Sequence, residues 1–199
     1  MAAVQTILER LEDLYQGRHL SSYRAGQGIP LPKDTVLLVC RGIVQVGTIH
    51  SNGDEALLGM VGPGVPLGLS LTWLDPYYAK ALTDVDILTL PLEEVERDAD
   101  LGGRLLPAVI RRLRQAEALL SLTGKRRVAE RLQQFLLLMA QEYGQPTGTG
   151  TRLLVRLTHQ DMASAIGTTR VTVTRLLNQW RQEGHLDLDE QRHLVVKFS

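Results

Sequence analysis

The residues best suited to chemistry lie between positions 157 and 180, where polar and cationic side chains alternate with short apolar stripes. Thr158 and Asp161 are spaced as in a capping box, with Asp in place of Glu, which predicts the start of a helix. Gly167 suits the left-handed residue that ends such a helix. Thr168 or Thr169 is then placed to cap a second helix. This succession predicts a helix-turn-helix.

The second helix of this motif has two different faces. Its apolar positions recur at helical spacing and can face a core, namely Val173, Leu176, Leu177 and Trp180. The first residues of such a helix enter a major groove, where arginine donates two hydrogen bonds to guanine O6 and N7. We therefore predict that double-stranded DNA binds Thr168, Thr169, Arg170, Val171, Thr174 and Arg175. The alternative is an ordinary helical hairpin with a solvated basic face.

Length and composition exclude several classes of protein. The 199 residues are 44% hydrophobic, enough for one large or two small domains with real cores. No run of about 18 apolar residues and no basic-then-apolar leader is present, so we expect a cytoplasmic protein that does not enter a membrane. The single cysteine, Cys40, excludes an intramolecular disulfide and a thiolate-only metal site, and we expect it to be a small core residue. The histidines lack ligand spacing, so no metal is expected.

The net charge of zero conceals an asymmetry between the two parts of the chain. Residues 1–124 contain 11 Lys and Arg against 15 Asp and Glu, a net charge of −4, whereas residues 125–199 contain 11 against 7, a net charge of +4. The basic part contains the helix-turn-helix. This distribution suits a phosphate-facing surface.

The N-terminal part is predicted to be a small helix followed by an antiparallel sandwich or barrel. Residues 4–15 have a helical apolar stripe. Short β-rich runs follow between residues 23 and 91, and Asn52-Gly53 between two of them is a strong hairpin signal. The runs are Thr35–Cys40, Ile43–Ile49, Ala56–Val61 and Ile87–Leu90.

The helical pattern resumes at Leu92, and a long helix is predicted from about Pro107, a residue that fits a first helical turn. Within it Val109, Leu113, Ala116 and Leu120 follow at spacings of four, three and four, which is typical of a coiled-coil seam and predicts a homodimer. The alternative is that this stripe packs on the β domain of its own chain. After a hinge at Gly124 and another amphipathic helix, residues 144–150 are predicted to be a loop. Residues 185–188 and 193–198 are predicted to form a hairpin wing.

The order of these elements, with Arg41-Gly42-Ile-Val-Gln-Val, Asn52-Gly53-Asp54-Glu55 and Val61-Gly62-Pro63-Gly64, resembles the CRP/FNR family of dimeric bacterial transcription regulators. The segment 166–177 resembles most the recognition helix of its cyanobacterial global nitrogen regulators. The resemblance implies an α+β chain: a cyclic-nucleotide-binding-like antiparallel β-roll in residues 1–104, a dimerisation helix in 105–124 and a winged helix-turn-helix in 125–199. It also implies palindromic operators and contact with RNA polymerase.

The resemblance further implies half-sites of the GTA/TAC type. Arg170 would then read the guanine, Val171 would favour the thymine methyl group, and Arg175 would reach a base edge or a phosphate. The effector pocket departs from the cyclic-nucleotide pattern, because the acid and the arginine that hold ribose and phosphate are absent from residues 66–79. A buried phosphate without that arginine loses its strongest hydrogen bonds, so cyclic AMP is not expected to bind.

The nitrogen-regulator resemblance implies 2-oxoglutarate as the small-molecule effector, with Gly68, Leu69, Arg112 and Glu117 in its pocket. One carboxylate clamp of that pocket is lost, because a residue that is arginine there falls at or near Asp75. The alternatives are that no effector exists and that Arg112 is a salt-bridge residue.

Two other classes of function compete with sequence-specific DNA binding. A β-roll and winged-helix module that binds another protein would have a similar sequence but would not bind DNA. An enzyme is not expected, because the chain lacks paired carboxylates in a motif, a nucleophile with a positioned base, and a phosphate loop.

Overall fold

The structure, a computed structural model, describes residue 14 and residues 17–198. The chain divides into two compact units, Met1–Ala116 and Glu117–Ser199. The helix predicted over residues 4–15 lies outside the described residues, apart from the helical Leu14. Among the described helices, none has the length and apolar character needed to cross a membrane.

The first unit contains two four-stranded antiparallel sheets, which confirms the predicted β domain. The strands of the first sheet, in spatial order, are β1 (Leu20–Tyr23), β8 (Val85–Pro91), β3 (Thr35–Arg41) and β6 (Pro66–Leu67). Those of the second sheet are β2 (Gly28–Ile29), β7 (Tyr78–Ala81), β4 (Val44–Ile49) and β5 (Glu55–Val61). A short 3₁₀ helix, Leu69–Leu71, follows β6. Strands β1, β2, β6 and β7 were not among the predicted β-rich runs.

Tight turns let the strands of these sheets pair. Gly42, between β3 and β4, has φ 86°, and a Cβ atom there would come within 2.2 Å of the carbonyl oxygen of Asp84. Only glycine fits such a position. The predicted hairpin at Asn52-Gly53 is also confirmed, because it joins β4 to β5 and the His50 N–H donates to the Asp54 carbonyl at 2.8 Å.

Two helices follow the β domain, α1 (Leu92–Arg97) and α2 (Ala99–Leu122). The prediction that the long helix begins at about Pro107, with that proline in its first turn, is wrong, because α2 begins at Ala99. Asp98 caps α2, because its carboxylate accepts hydrogen bonds from the N–H groups of Asp100 and Leu101 at 2.9 and 3.1 Å. Burial of Leu101 in the β core adds stabilisation to this first turn. Pro107 lies inside the helix, where it cannot donate a hydrogen bond to the carbonyl four residues earlier.

Helix α2 has two apolar stripes with different surroundings. Leu101, Leu105 and Ala108 are buried with residues of both sheets. The predicted seam is exposed instead: Val109, Leu113 and Leu120 keep 44%, 58% and 70% of their surfaces accessible, and Ala116 is exposed as well. The seam therefore remains available for contact with another chain.

Besides the end of α2, the described residues of the second unit form three helices and a four-stranded antiparallel sheet. The helices are α3 (Val128–Tyr143), α4 (His159–Ile166) and α5 (Arg170–Gln182). The strands, in spatial order, are β11 (Leu186–Leu188), β12 (Leu194–Val196), β10 (Gly150–Leu153) and β9 (Gly144–Thr147). The pair β11–β12 is the predicted hairpin wing.

The prediction of a loop over residues 144–150 is wrong, because its ends form β9 and β10. The run Gly-Gln-Pro-Thr-Gly-Thr-Gly has the composition of a loop. Its strand conformation comes from distant partners: Thr151 and Arg152 pair with Val196 and Val195 of the wing. Leu153, the last residue of β10, is fully buried and so stabilises the position of this strand.

Candidate nucleic-acid interface

The first helix of the motif, α4, begins and ends as predicted. The Thr158 hydroxyl accepts a hydrogen bond from the Asp161 N–H at 3.0 Å, and the Asp161 carboxylate accepts one from the Thr158 N–H at 2.8 Å. Gly167 ends the helix in the left-handed region, at φ 63° and ψ 56°. Helix α3 steadies this turn, since Arg131 donates to the Gly167 carbonyl at 3.4 Å. The capping box and the glycine turn predicted from the sequence are therefore confirmed.

The second helix, α5, is oriented by its buried side. Thr169 is its cap, since the Thr169 hydroxyl accepts a hydrogen bond from the Thr172 N–H at 3.3 Å. The buried residues are the four predicted ones, Val173, Leu176, Leu177 and Trp180. This burial leaves an outward-facing stripe that is polar except for Val171 and consists of Arg170, Val171, Thr174, Arg175 and Asn178. We call it the recognition stripe.

The members of the recognition stripe differ in how free they are to contact a ligand. Arg170 and Arg175 are exposed and have no carboxylate partner in the part of the chain that the structure describes. Val171 is 77% exposed, so its methyl groups are free to contact an apolar group such as the methyl group of thymine. Thr168 is half-buried. The Thr174 hydroxyl is already engaged, because it donates to the Arg170 carbonyl at 2.9 Å.

A histidine that the sequence pattern did not single out lies beside this stripe. His159, the first residue of α4, places Nδ1 2.7 Å from the Thr174 hydroxyl oxygen. Burial lowers the pKa of His159, and the positive charge of Arg170 lowers it further. The neutral imidazole is therefore favoured in the free protein.

The wing is braced by a cluster of polar side chains at its tip. Arg152 of β10 forms an ion pair with Asp189 at 2.5 Å and donates to the Gln191 side chain at 2.7 Å. Desolvation raises the pKa of Asp189, but hydrogen bonds from the His193 N–H and from Arg152 lower it by more, so the pKa is lowered overall. The turn of the wing is thus held as an ionised, hydrogen-bonded unit.

A second group of residues, in the first unit, concerns the predicted effector pocket. Arg112 of α2 donates from Nη2 to the Tyr77 hydroxyl at 3.1 Å, whereas its buried Nη1 has no hydrogen-bond partner among the residues that the structure describes. Burial raises the pKa of Tyr77, and Arg112 partly offsets this effect. The neighbouring Gln115 accepts from the Met60 N–H at 2.8 Å. Arg112 has no carboxylate partner among the described residues, so its charge is uncompensated there.

The other predicted effector residues lie elsewhere. At Gly68 a Cβ atom would come within 2.9 Å of the Thr35 carbonyl oxygen, so Gly68 and the adjoining Leu69 lie beside the start of β3. Arg112 instead lies beside Gly59 and Tyr77. Glu117 is exposed and belongs to the second unit. Sequence reasoning missed Tyr77 and Gln115, since nothing local marks them as neighbours of Arg112.

A β domain joined through a long helix to a winged helix-turn-helix, whose recognition stripe is cationic and outward-facing, defines a class of DNA-binding transcription regulators. A family model described as a Crp-like helix-turn-helix domain matches residues 130–197. The regulatory protein CysR of Synechococcus elongatus is 35% identical over 173 residues, which cover 85% of this chain and 80% of the relative. A global nitrogen regulator of Synechocystis sp. is 31% identical over 82% of this chain and 77% of the relative.

Solved structures show the same fold. A cyclic nucleotide-binding domain protein of Listeria monocytogenes has a TM-score of 0.77 at 17% identity, covering 98% of each chain. FixK2 of Bradyrhizobium japonicum has a TM-score of 0.74 at 24% identity, covering 90% of this chain and 92% of that one. The chain belongs to the CRP/FNR family of DNA-binding transcription regulators, near the global nitrogen regulators.

Proposed function

We propose that the protein is a homodimer that reads a palindromic DNA site of the GTA/TAC type through the recognition stripe of α5. The observation that carries this proposal is the pair of exposed arginines, Arg170 and Arg175, on a helix whose opposite side is fully committed to the core. An arginine at the start of such a helix matches the donor geometry that guanine requires. Family membership also supports contact with RNA polymerase.

Dimerisation is the second part of the proposal. The seam residues Val109, Leu113 and Leu120 keep from 44% to 70% of their surfaces exposed along one side of α2. Apolar side chains at coiled-coil spacing lose this exposure when two such helices pair. A two-fold axis would place the recognition helices about 34–36 Å apart, so that each enters one half-site of a palindrome.

Selection of bound sequences from a random DNA pool tests the proposal, followed by titration of operator variants at fixed salt. Arg170→Ala should remove a discrimination of about 1–3 kcal/mol at one base pair in each half-site. Arg181→Ala is the matched control, because Arg181 is exposed in the last turn of the same helix. Equal loss on every sequence would make Arg170 a phosphate contact, and absence of binding even at low salt would favour the protein-interaction module.

We further propose that a small anion is the effector and that Arg112 is its charge partner. A buried guanidinium N–H without a partner is costly, and a carboxylate oxygen would satisfy it. The resemblance to global nitrogen regulators makes 2-oxoglutarate the first compound to test. Gly68, Leu69 and Glu117 belong to this proposal only through that resemblance.

Calorimetry with 2-oxoglutarate and with cyclic AMP tests the effector proposal. Binding of 2-oxoglutarate should be lost in Arg112→Ala and kept in Arg114→Ala, a control two positions away whose side chain is exposed. Tight binding of cyclic AMP would contradict the pocket argument. If neither compound binds detectably, a regulator without a small-molecule effector is favoured.

A further inference from the structure

A cleft of about 180 Å³ opens between the wing and α4, within the second unit. Its floor is apolar, formed by residues such as Met162 and Leu177. Three of its lining residues are basic, namely Arg156, His159 and Arg192. None of the described residues that line it is acidic. A concave site with an apolar floor and cationic walls suits an anion.

The walls of this cleft are held in place by the wing. Arg156 donates to the Gln191 carbonyl at 2.5 Å, which fastens the segment before α4 to the tip of the wing. The Arg152 cluster fixes the same tip from the other side. Arg192 is the next residue after Gln191, and a tight turn holds it at a left-handed φ of 64°. Preorganised cations lose less entropy when they bind an anion.

The hydrogen bonds of His159 decide which of its nitrogens faces a ligand. The Thr174 hydroxyl has one proton, and it donates that proton to the Arg170 carbonyl, which can only accept. The hydroxyl oxygen must therefore accept from His159 Nδ1, 2.7 Å away. This assignment puts the proton of the neutral imidazole on Nδ1 and leaves Nε2 as an acceptor.

The charges around His159 come from each element packed against it. Arg170 lies on α5, Arg156 precedes α4, and Arg192 lies on the wing. On α4 itself, the Asp161 carboxylate is engaged by the N–H and hydroxyl of Thr158. Burial and the positive charge of Arg170 oppose a positive imidazole in the free protein, and an entering anion would reverse that preference.

We propose that the cleft binds a backbone phosphate of DNA and that His159 takes up a proton from solvent as the phosphate enters. This inference depends on the proposed function, since it presumes that α5 contacts DNA. A phosphodiester oxygen can only accept hydrogen bonds, so Nε2 must become a donor to contact it. The protonated imidazole then joins Arg156 and Arg192 around the negative charge. DNA binding and proton uptake favour each other equally because linkage is reciprocal.

The proposal predicts how affinity for the selected DNA duplex varies with pH at fixed salt. Affinity should fall by as much as tenfold for each unit rise in pH, within a window bounded by the pKa values of His159 in the free protein and in the complex. His159→Gln should remove this slope. His185→Gln is the matched control, since His185 is an exposed histidine of the same unit outside the cleft lining, and it should keep the slope.

Nuclear magnetic resonance gives a second readout that needs no variant. The pKa of His159, followed through its ring carbon, should rise when the duplex is added, and replacing one phosphate of each half-site by a neutral methylphosphonate should abolish that rise. An unchanged pKa in the complex overturns the proposal, as does a rise of the same size with inorganic phosphate alone, which would make the cleft a site for free phosphate. Absence of DNA binding at every pH would instead overturn the proposed function.

Discussion

The seam of α2 allows the sharpest test of the proposed dimer. Replacing Leu113 by glutamate places a carboxylate at the centre of the proposed interface, next to its symmetry mate. Leu113 still exposes 58% of its surface in a single chain. Full burial of a leucine side chain stabilises by about 1.5–3 kcal/mol, so burial of the remaining surface contributes about 0.9–1.7 kcal/mol per protomer. A dimer contains this residue twice, which brings the loss to about 2–3.5 kcal/mol from lost burial alone.

A loss of that size weakens the dimer about 30- to 300-fold, since about 1.4 kcal/mol corresponds to a factor of ten in a dissociation constant. Two carboxylates facing each other without partners add a desolvation cost to this. Sedimentation velocity over a range of protein concentrations measures the shift. Arg114→Glu is the control, because Arg114 follows directly on the same helix but is turned about 100° away from the seam.

The expected result is a monomer for Leu113→Glu at concentrations where the wild type and Arg114→Glu are dimers. The far-UV circular dichroism spectrum of the monomer should stay close to that of the wild type if the core of the β domain is intact, whereas its Tm should be lower, because association stabilises the folded wild-type chain. If Leu113→Glu sediments as a dimer at micromolar concentration, the chains do not associate along this stripe. The exposed leucines of α2 would then need another explanation.

Two further predictions concern the second unit. Thr158→Ala should lower the free energy of unfolding by about 0.5–2 kcal/mol, because it removes the capping box of α4. Gln160→Ala, two residues further along the chain, should leave the free energy of unfolding unchanged. Urea titration measures both variants. The lowered pKa of Asp189 means that its contribution to stability is present above the carboxyl pKa of the unfolded chain and is lost as pH falls through its folded value. Asp189→Asn should therefore be less stable than the wild type at neutral pH, and the difference in Tm should narrow on acidification; a difference independent of pH would show that the ion pair with Arg152 is not its source.

Local signals explain why the helix-turn-helix could be predicted in detail. Thr158, Gly167 and the apolar period of α5 all act within a few residues, and the structure places each of them as expected. The strand β9 could not be predicted in the same way, because the pairing that makes it a strand comes through β10 from a wing some forty residues away. The start of α2 has a local signal in Asp98, but Pro107 suits a first helical turn as well, so the sequence pattern favours a start that is too late.

The sites that join distant parts of the chain were beyond sequence reasoning. Arg112 reaches Tyr77 across 35 residues, and Arg156 reaches Gln191 across the same separation. Neither pair has a spacing that a helix or a strand would reveal. Residues such as His159 gain their role only when a neighbouring helix supplies the hydrogen-bond partner, here Thr174.

The position of Arg112 on α2 sets a physical limit on any effector. The residues that approach the β domain, Arg112 and Gln115, alternate along this helix with the seam residues Leu113 and Ala116. A ligand that satisfies Arg112 Nη1 therefore acts on the helix that would form the dimer. It can change DNA affinity only by the difference between its affinities for two arrangements of that helix. A tenfold change in DNA affinity thus needs about 1.4 kcal/mol of differential binding, close to what one charge-assisted hydrogen bond contributes. The Arg112 guanidinium alone is therefore sufficient for a change in DNA affinity of about tenfold. A much larger change in DNA affinity would require contacts between the ligand and residues other than Arg112.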